Sequence, residues 1–331
     1  MSLPHRPRRN RRTASIREMT QEIRLCTQNL VMPLFLTDQD KAMEPIHALP
    51  GQFRYGPDRL IDVAGEAFQL GIPAIALFPK IADNLKDPLA KESANPQGLL
   101  PQTIRDLKQS LPELTIISDV AMDPYSSEGH DGIVSNGKIL NDESLQVLGE
   151  MALVQAQAGV DYVAPSDMMD GRVAYIRNIL DKNGYSEVGI ISYSAKFASC
   201  FYGPFREALD SNPKSGDKKS YQLNPANRRE ALREVLFDQE EGADMLLVKP
   251  ALSYLDIISM AKEHCELPIA AYNVSGEYAM IKAAAEKSWL DERSAVLESL
   301  LSIRRAGADV IFTYWAMDVA RWLRDNSNQA T

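Results

Sequence analysis

Residues 242–249 read GADMLLVK, and this short stretch contains the pattern that predicts the fold. The glycine follows an amphipathic segment, Arg228–Gln239, and can adopt the left-handed conformation that ends a helix. The apolar run after it is typical of a parallel strand that is buried on both faces. Gly-Val-Asp and Gly-Ala-Asp also precede apolar runs at residues 159 and 307, so the pattern is a weak internal repeat.

Short runs rich in Val and Ile alternate with amphipathic segments from residue 29 onward. The eight runs are Asn29–Phe35, Ala74–Phe78, Leu114–Asp119, Asp161–Pro165, Val188–Tyr193, Asp244–Lys249, Pro268–Asn273 and Asp309–Trp315. Helical spacing is clearest in Leu60–Leu70, Ser144–Ala158, Arg228–Gln239, Tyr254–Cys265 and Ala295–Ala306. Eight strand–helix units predict a (β/α)8 TIM barrel. An open doubly wound sheet is the alternative, but the Gly-rich phosphate loop usual in such a sheet does not follow the first run.

The charge of the chain is unevenly distributed. The first 20 residues carry six arginines and one glutamate, so this segment has a net charge of +5 and the remainder of the chain −14. A segment with so few apolar residues cannot form a core of its own. We therefore divide the chain into a basic N-terminal arm, residues 1–28, and a barrel, residues 29–331. Opposite charge favours contact between the arm and a neighbouring subunit, and a solvated tail is the alternative.

Composition excludes several classes of protein. With 36 basic and 45 acidic side chains among 331 residues, the chain lacks the basic surface of a nucleic-acid binder. It contains no apolar run of membrane-spanning length, and no apolar segment of a secretory signal follows the arginines. Three widely spaced cysteines rule out a disulfide framework and fit a reducing compartment. We expect a cytoplasmic location, and no organic cofactor.

Two lysines close neighbouring predicted strands at the end of the barrel where active sites lie. Lys249 ends the sixth run, and Lys196 follows the fifth. Apolar surroundings and a second ammonium both lower the pKa of a lysine and free its amine as a nucleophile. Such an amine forms a Schiff base with a carbonyl substrate. The alternative is that each lysine pairs with a carboxylate at the mouth of the barrel.

An acidic segment, residues 119–132, directly follows the third run. Its carboxylates include Asp119, Asp123 and Asp131, which could hold a hard cation through oxygen ligands. The segment has no cysteine, so a thiolate zinc site is excluded there. A polar surface loop is the alternative. Further along the chain, Arg206 and Lys218 are basic groups that could bind a carboxylate.

Five ordered motifs, together with the arginine-rich opening, closely resemble the porphobilinogen synthase (5-aminolaevulinate dehydratase) family. The motifs are Pro165–Arg172, Ser192–Ser199, Phe201–Arg206, Met245–Pro250 and Tyr272–Tyr278. The resemblance extends from the arm to Trp315. It implies condensation of two 5-aminolaevulinate molecules to porphobilinogen with loss of two waters, an early step of tetrapyrrole synthesis. A class I aldolase, which would need one essential lysine, and a non-enzymatic assembly protein are the alternatives.

The resemblance also implies roles for single residues. Lys249 would hold the substrate that enters first, and Lys196 the second, each as a Schiff base. The other implied substrate contacts are Ser275 and Tyr314 for the first carboxylate, Arg206, Lys218 and Gln222 on a lid for the second, and Asp119 and Ser166 as lining of the second subsite. Lys218 stands where the family often has arginine, so the charge is kept but bidentate geometry is lost.

The remaining implications concern metals and assembly. Glu234 matches the allosteric magnesium site of the family, whose members usually form octamers in which each arm embraces a neighbouring barrel. The zinc-dependent branch has three cysteines where Ala121, Asp123 and Asp131 stand. Alanine cannot bind a metal, and carboxylates prefer hard cations. The resemblance therefore implies an enzyme that needs no zinc, with Asp123 and Asp131 as candidate ligands for active-site magnesium.

Overall fold

A computed structural model of the chain describes residues 3–39 and 42–329, with side chains up to residue 325. The two residues at each end of the chain, which belong to the predicted arm and barrel, lie outside this description. The strands are β1 Leu30–Leu36, β2 Met43–Pro45, β3 Phe53–Tyr55, β4 Ala74–Pro79, β5 Thr115–Val120, β6 Ile133–Ser135, β7 Lys138–Leu140, β8 Tyr162–Pro165, β9 Gly189–Lys196, β10 Met245–Lys249, β11 Ile269–Asn273 and β12 Val310–Thr313.

Helices follow the barrel strands and cover them on the outside. The α-helices are α1 Ala14–Met19, α2 Pro57–Gln69, α3 Leu99–Ser110, α4 Asn141–Ala158, α5 Arg172–Lys182, α6 Gly203–Leu209, α7 Arg228–Glu240, α8 Leu255–His264, α9 Ser275–Glu286, α10 Glu292–Ala306 and α11 Ala316–Gln329. Short 3-10 helices span Pro7–Arg11, Thr27–Asn29, Asp83–Leu85, Lys91–Ala94, Cys200–Tyr202 and Leu252–Tyr254.

Eight parallel strands form the barrel in the order β1-β4-β5-β8-β9-β10-β11-β12. The ring closes because β1 also pairs with β12, with Leu30 opposite Ile311. Each predicted run contributes one of these strands, so the predicted (β/α)8 barrel is confirmed. The short strands β2 and β3 extend the sheet beside β1, and β6 and β7 form a separate hairpin. These four strands were not among the predicted runs.

The fifth barrel strand is longer than its run, which was expected to end at Tyr193. β9 continues to Lys196 because its last residues pair with β10, where Ala195 lies opposite Val248 and Lys196 opposite Lys249. The register shifts between Leu246 and Val248, so β9 holds one residue more than β10 over this stretch. An extra residue of this kind is a β-bulge, and it changes which side chains face each other.

The Gly-x-Asp repeat has one structural function at three places. Gly159 and Gly307 end their helices with φ of 98° and 121°, a conformation that strongly favours glycine. The aspartate two residues later accepts a backbone N–H from the preceding barrel strand at 2.7 to 3.0 Å. These bonds join Asp161 to Ile116, Asp244 to Ile190 and Asp309 to Ile269. The repeat therefore fixes where neighbouring strands begin relative to each other.

The arm and the barrel differ in burial. Residues 3–24 include no buried side chain, whereas Leu30 begins a strand that is buried throughout. Asn29 joins the two regions, since its amide donates to the backbone oxygen of Asp309 at 3.1 Å. Within residues 3–39 and 42–329, the helices lack the combination of length and apolarity that a membrane span requires.

The aspartate bonds of the repeat can be tested by substitution at Asp244. Asp244→Ala leaves the N–H of Ile190 without its acceptor, and a lost hydrogen bond of this kind costs about 1 kcal/mol. Asp244→Asn is the matched control, because the amide oxygen can still accept. We expect the urea midpoint of unfolding to fall for alanine and to stay near the wild-type value for asparagine. Equal midpoints for the alanine and asparagine variants would show that the hydrogen bond from Ile190 to Asp244 does not stabilise the barrel.

Candidate active site

Two buried lysines end neighbouring strands of the barrel. Lys196 and Lys249 are the last residues of β9 and β10 and lie directly opposite each other in the parallel register. Their exposed fractions are 6% and 4%. Side chains of directly opposite residues point to the same face of a sheet. The structure therefore brings together the two lysines that the sequence singled out.

Aromatic rings surround the amine of Lys249. Its Nζ lies 4.5 Å from the ring centre of Tyr272, 4.7 Å from Phe205, 5.2 Å from Tyr193 and 5.3 Å from Tyr202. Burial, aided by the charge of Lys196, lowers the pKa of Lys249 to about 7. Sequence reasoning did not select these rings, although all four lie in or beside the motifs that carried the resemblance. The sequence does not show that these four rings surround one amine.

Oxygen atoms surround Lys196 instead. Its Nζ donates to the backbone oxygen of Ser166 and lies 4.0 Å from Oδ1 of Asp131. Ser166, at the end of β8, is buried beside it. The two lysines thus occupy different environments, one mainly aromatic and one mainly polar. Two identical keto substrates bound here would be treated differently.

Three buried aspartates of the acidic segment face the lysines. Burial, together with the charge of Asp123, raises the pKa of Asp119 to about 7, and its Oδ1 has no hydrogen-bond partner among the described atoms. Burial also raises the pKa of Asp123, although Lys218 opposes this. Burial alone would raise the pKa of Asp131, but the ammonium groups of Lys218 and Lys196 outweigh it and hold the value at about 2.

Lys218 lies between two of these carboxylates. Its Nζ is 3.1 Å from Asp123 and 2.8 Å from Asp131. The two residues that the resemblance offered as ligands for active-site magnesium are therefore already paired with an ammonium of the same protein. No group of three or more His, Cys, Asp or Glu side chains within the described part of the chain is arranged to hold a metal ion.

The long segment after β9 covers the lysines as a lid, residues 197–227. It begins where the N–H of Phe197 donates to Lys249 O at 3.0 Å, and its far part returns to donate from Leu223 to Lys196 O at 3.0 Å. The ring of His130 contacts Ser215 O at 2.8 Å, and Tyr221 donates to Asp131 at 3.0 Å. The lid brings the predicted residues Arg206, Lys218 and Gln222 toward the site, of which Lys218 and Gln222 are buried.

Ser275 and Tyr314 lie just after the ends of β11 and β12. Ser275 Oγ accepts the N–H of Phe205 at 3.1 Å, which connects α9 to the lid. Tyr314 Oη lies 3.2 Å from Tyr272 Oη, and the Tyr272 ring contacts the Lys249 amine. These hydroxyls are placed where they could bind a polar group of a substrate held by Lys249.

Glu234 lies away from both lysines, on α7. It lines a cavity of about 600 Å³, together with Asn141, Asp170 and Glu230 and with Gln222 of the lid. Burial raises the pKa of Glu234, while the guanidinium of Arg172 opposes the shift. The predicted magnesium residue is thus outside the active site.

Sequence reasoning also missed Glu277, which was quoted only as part of a motif. Its carboxylate is fully buried, and burial raises its pKa to about 7 although amide N–H groups that donate to it oppose the shift. A buried acid outside the proposed chemistry is unusual, because burying an unpaired carboxylate is costly. The signal available in the sequence was a glutamate at the third position of a helix that starts at a barrel mouth.

Comparison with known proteins identifies the family. The family model described as Delta-aminolevulinic acid dehydratase matches residues 4–322. The chain belongs to this family. It is 55% identical over 323 residues to the chloroplastic delta-aminolevulinic acid dehydratase of Physcomitrium patens, covering 97% of this chain and 74% of the relative. It is 50% identical to the Chlamydia pneumoniae enzyme, covering 96% and 95%.

A solved structure agrees with the assignment. The delta-aminolevulinic acid dehydratase (porphobilinogen synthase) of Toxoplasma gondii ME49, in complex with the reaction product porphobilinogen, superposes with a TM-score of 0.95. It is 51% identical, and the match covers 97% of this chain and 92% of that chain. The predicted hydro-lyase activity, which makes porphobilinogen from 5-aminolaevulinate, is confirmed. Class I aldolase and non-enzymatic assembly protein are thereby rejected.

The names of the relatives contradict the expected cytoplasmic location. The proteins of Physcomitrium patens, Selaginella martensii and Glycine max are all named as chloroplastic. The expectation rested on few, unpaired cysteines, which fit any reducing compartment. Cysteine content therefore could not distinguish the cytoplasm from another such compartment.

The low pKa of Lys249 predicts how its reactivity depends on pH. A lysine with a pKa of about 7 is mostly neutral at pH 8, whereas an exposed lysine stays charged until about pH 10. Trapping of 4-oxopentanoate on Lys249 with cyanoborohydride should therefore become faster between pH 6 and about 8 and then level off. Peptide mass spectrometry over a pH series gives the rate. A trapping rate that keeps rising to about pH 10, as expected for exposed Lys182, would contradict the buried environment of Lys249.

Proposed function

We propose that the chain makes porphobilinogen through two Schiff bases, one on Lys249 and one on Lys196. The observation that carries this proposal is their position as register partners, with one amine among aromatic rings and the other among oxygens. Each amine condenses with a keto group and releases one water. Holding both substrates covalently converts a reaction between two molecules into a local one.

The two substrates then join through a carbon–carbon bond and a carbon–nitrogen bond. An imine acidifies the neighbouring C–H, so a base can remove a proton and leave a nucleophilic carbon. That carbon attacks the second imine carbon, and the lysine amine bound there leaves. The free amino group of one substrate attacks the other imine and displaces the second lysine. Two waters are lost in total, both during imine formation, and proton loss completes the pyrrole. Asp119, buried with a pKa of about 7 and one unpartnered oxygen, is suited to hold such a proton.

Substrate carboxylates are proposed to bind on two sides of the lysines. Ser275 and Tyr314 would hold the carboxylate of the substrate on Lys249. Arg206, Lys218 and Gln222 would hold that of the substrate on Lys196, whose subsite Asp119 and Ser166 line. The support for Gln222 is its burial on the lid, since its amide Nε2 is a donor that a carboxylate can accept from. For Lys218 the proposed role requires its ammonium to turn from Asp123 and Asp131 toward the substrate.

Covalent catalysis predicts unequal losses at the two lysines. Lys249→Ala should lose essentially all turnover, and Lys196→Ala should lose several orders of magnitude, because each removes a nucleophile. Pyrrole formation from 5-aminolaevulinate is the assay, and exposed Lys182→Ala is the control that should match wild type. Near-normal turnover in either active-site variant would rule out two imines.

We also propose that the active site needs no zinc. Ala121 cannot bind a metal, and Lys218 already forms ion pairs with both Asp123 and Asp131. A divalent ion at those two carboxylates would have to displace a buried ammonium. While Lys218 is paired with them, these two carboxylates do not fit an active-site metal.

Metal removal tests this directly. After exhaustive treatment with a zinc-selective chelator, we expect full activity with no zinc found by elemental analysis. Lys218→Met should lower activity, because it leaves two buried carboxylates without their cation. Exposed Lys219→Met is the matched control on the same lid. Activity that is lost on chelation, and that zinc restores but magnesium does not, would overturn the proposal.

Magnesium is proposed to act at Glu234. A half-buried carboxylate in a cavity that Asp170 and Glu230 also line suits an ion that keeps most of its waters. Glu234 lies one helical turn before Asp238, which pairs with buried Arg172 at 3.1 Å. Arg172 also donates to Tyr193 O in β9 at 3.1 Å. This chain of contacts gives the cavity a physical connection to the strand that carries Lys196.

The arm is proposed to bind a neighbouring subunit in an octamer. Within the chain its side chains contact mainly one another, as where Arg17 donates to Arg11 O at 3.0 Å. Met19 is 76% exposed. An ordered segment with an exposed apolar side chain gains stability by packing that side chain against another molecule. The charge of the arm is opposite to that of the barrel.

Deleting residues 2–12 tests the role of the arm. We expect smaller species in sedimentation velocity, because the deletion removes five of the six arginines in the first 20 residues. Raising the salt concentration should shift the wild-type protein in the same direction, since it screens the same charges. An unchanged size distribution for the deletion variant would mean that the arm is a free tail.

A further inference from the structure

Glu277 is a buried acid that the reaction does not use. It is the third residue of α9, and its exposed fraction is 0%. The ion pairs among the described residues do not include it, so no cation offsets its charge. Its partners are backbone and side-chain N–H groups. A buried carboxylate persists without a cation only when such donors satisfy it.

The two oxygens of this carboxylate accept hydrogen bonds from different loops. Oε1 accepts the backbone N–H of Leu252, three residues after Lys249, at 2.8 Å. Oε2 accepts from Asn273 Nδ2 at 2.9 Å and from the N–H of Val274 at 3.0 Å. Glu277 therefore ties the segment after β10 to the end of β11.

Asn273 carries the connection to a third strand. Its Oδ1 accepts from Thr313 Oγ1 at 2.9 Å. Thr313 ends β12 and directly precedes Tyr314, while Val274 directly precedes Ser275. The network thus reaches the three segments that carry Lys249, Ser275 and Tyr314.

We propose that Glu277 is a positioning residue that keeps Lys249 in register with Ser275 and Tyr314, so that amine and hydroxyls meet the same substrate molecule. The inference rests on the proposed functions of those three residues. A carboxylate accepts on both oxygens, whereas glutamine of the same shape presents an NH2 donor to one of the two loops. That loop then loses its anchor, and a displacement of about 1 Å in an active site costs about 100-fold in rate.

Glu277→Gln tests the inference through rate constants. We measure single-turnover trapping of 5-aminolaevulinate on Lys249 with borohydride, located by peptide mass spectrometry, and steady-state turnover. Both rate constants should fall about 10- to 100-fold. A purely structural role would lower the folded fraction and hence the amplitude of trapping, but not its rate constant. Exposed Glu286→Gln on the same helix is the matched control and should equal wild type.

A second variant covers the case in which Glu277→Gln does not fold. Thr313→Val removes the donor to Asn273 at the far end of the network and keeps the side-chain shape, so we expect a smaller slowing, about 3- to 10-fold. If Lys249 is trapped in wild type and the rate constants of the folded variants are unchanged, the positioning role alone is overturned. If the wild-type enzyme forms no adduct on Lys249, the proposed Schiff-base function is wrong, and so is the inference about Glu277.

Discussion

The pairing of β9 with β10 is the constraint on which the active site depends. β9 holds one residue more than β10 between the pairs Ser192–Leu246 and Ala195–Val248. Without that bulge, Lys249 would lie opposite Ala195, and Lys196 would point to the other face of the sheet. With it, both amines reach the same space. Backbone hydrogen bonds along the two strands hold this register, so the distance between the amines does not depend on flexible loops.

Different surroundings give the two lysines different chemistry. Burial among aromatic rings and the charge of its neighbour lower the pKa of Lys249 to about 7, while Lys196 lies among oxygen atoms. The buried carboxylates would repel one another, but Lys218 lies between Asp123 and Asp131. The site is therefore close to charge balance without an added ion. Asymmetry of this kind is required when two identical molecules must join in unequal roles.

Carboxylates organise both ends of the barrel. At the start of the strands, the three aspartates of the Gly-x-Asp repeat each accept a backbone N–H from the neighbouring strand. At the opposite end, Glu277 accepts from loops after β10 and β11. The first set fixes the strands relative to one another, and the second fixes the loops that carry function. In both cases the carboxylate satisfies N–H groups that would otherwise lack a partner.

The sequence by itself determined the alternation of strands and helices, the glycines that end helices, the two lysines and the family, because these depend on neighbouring residues or on motifs. It did not determine the bulge that places Lys196 opposite Lys249, the rings around Lys249, the position of Lys218 between two aspartates or the network of Glu277. Each of these joins residues that are far apart in the chain, such as Lys218 and Asp123. Burial and charge act through space, so only the tertiary structure decides which groups become partners.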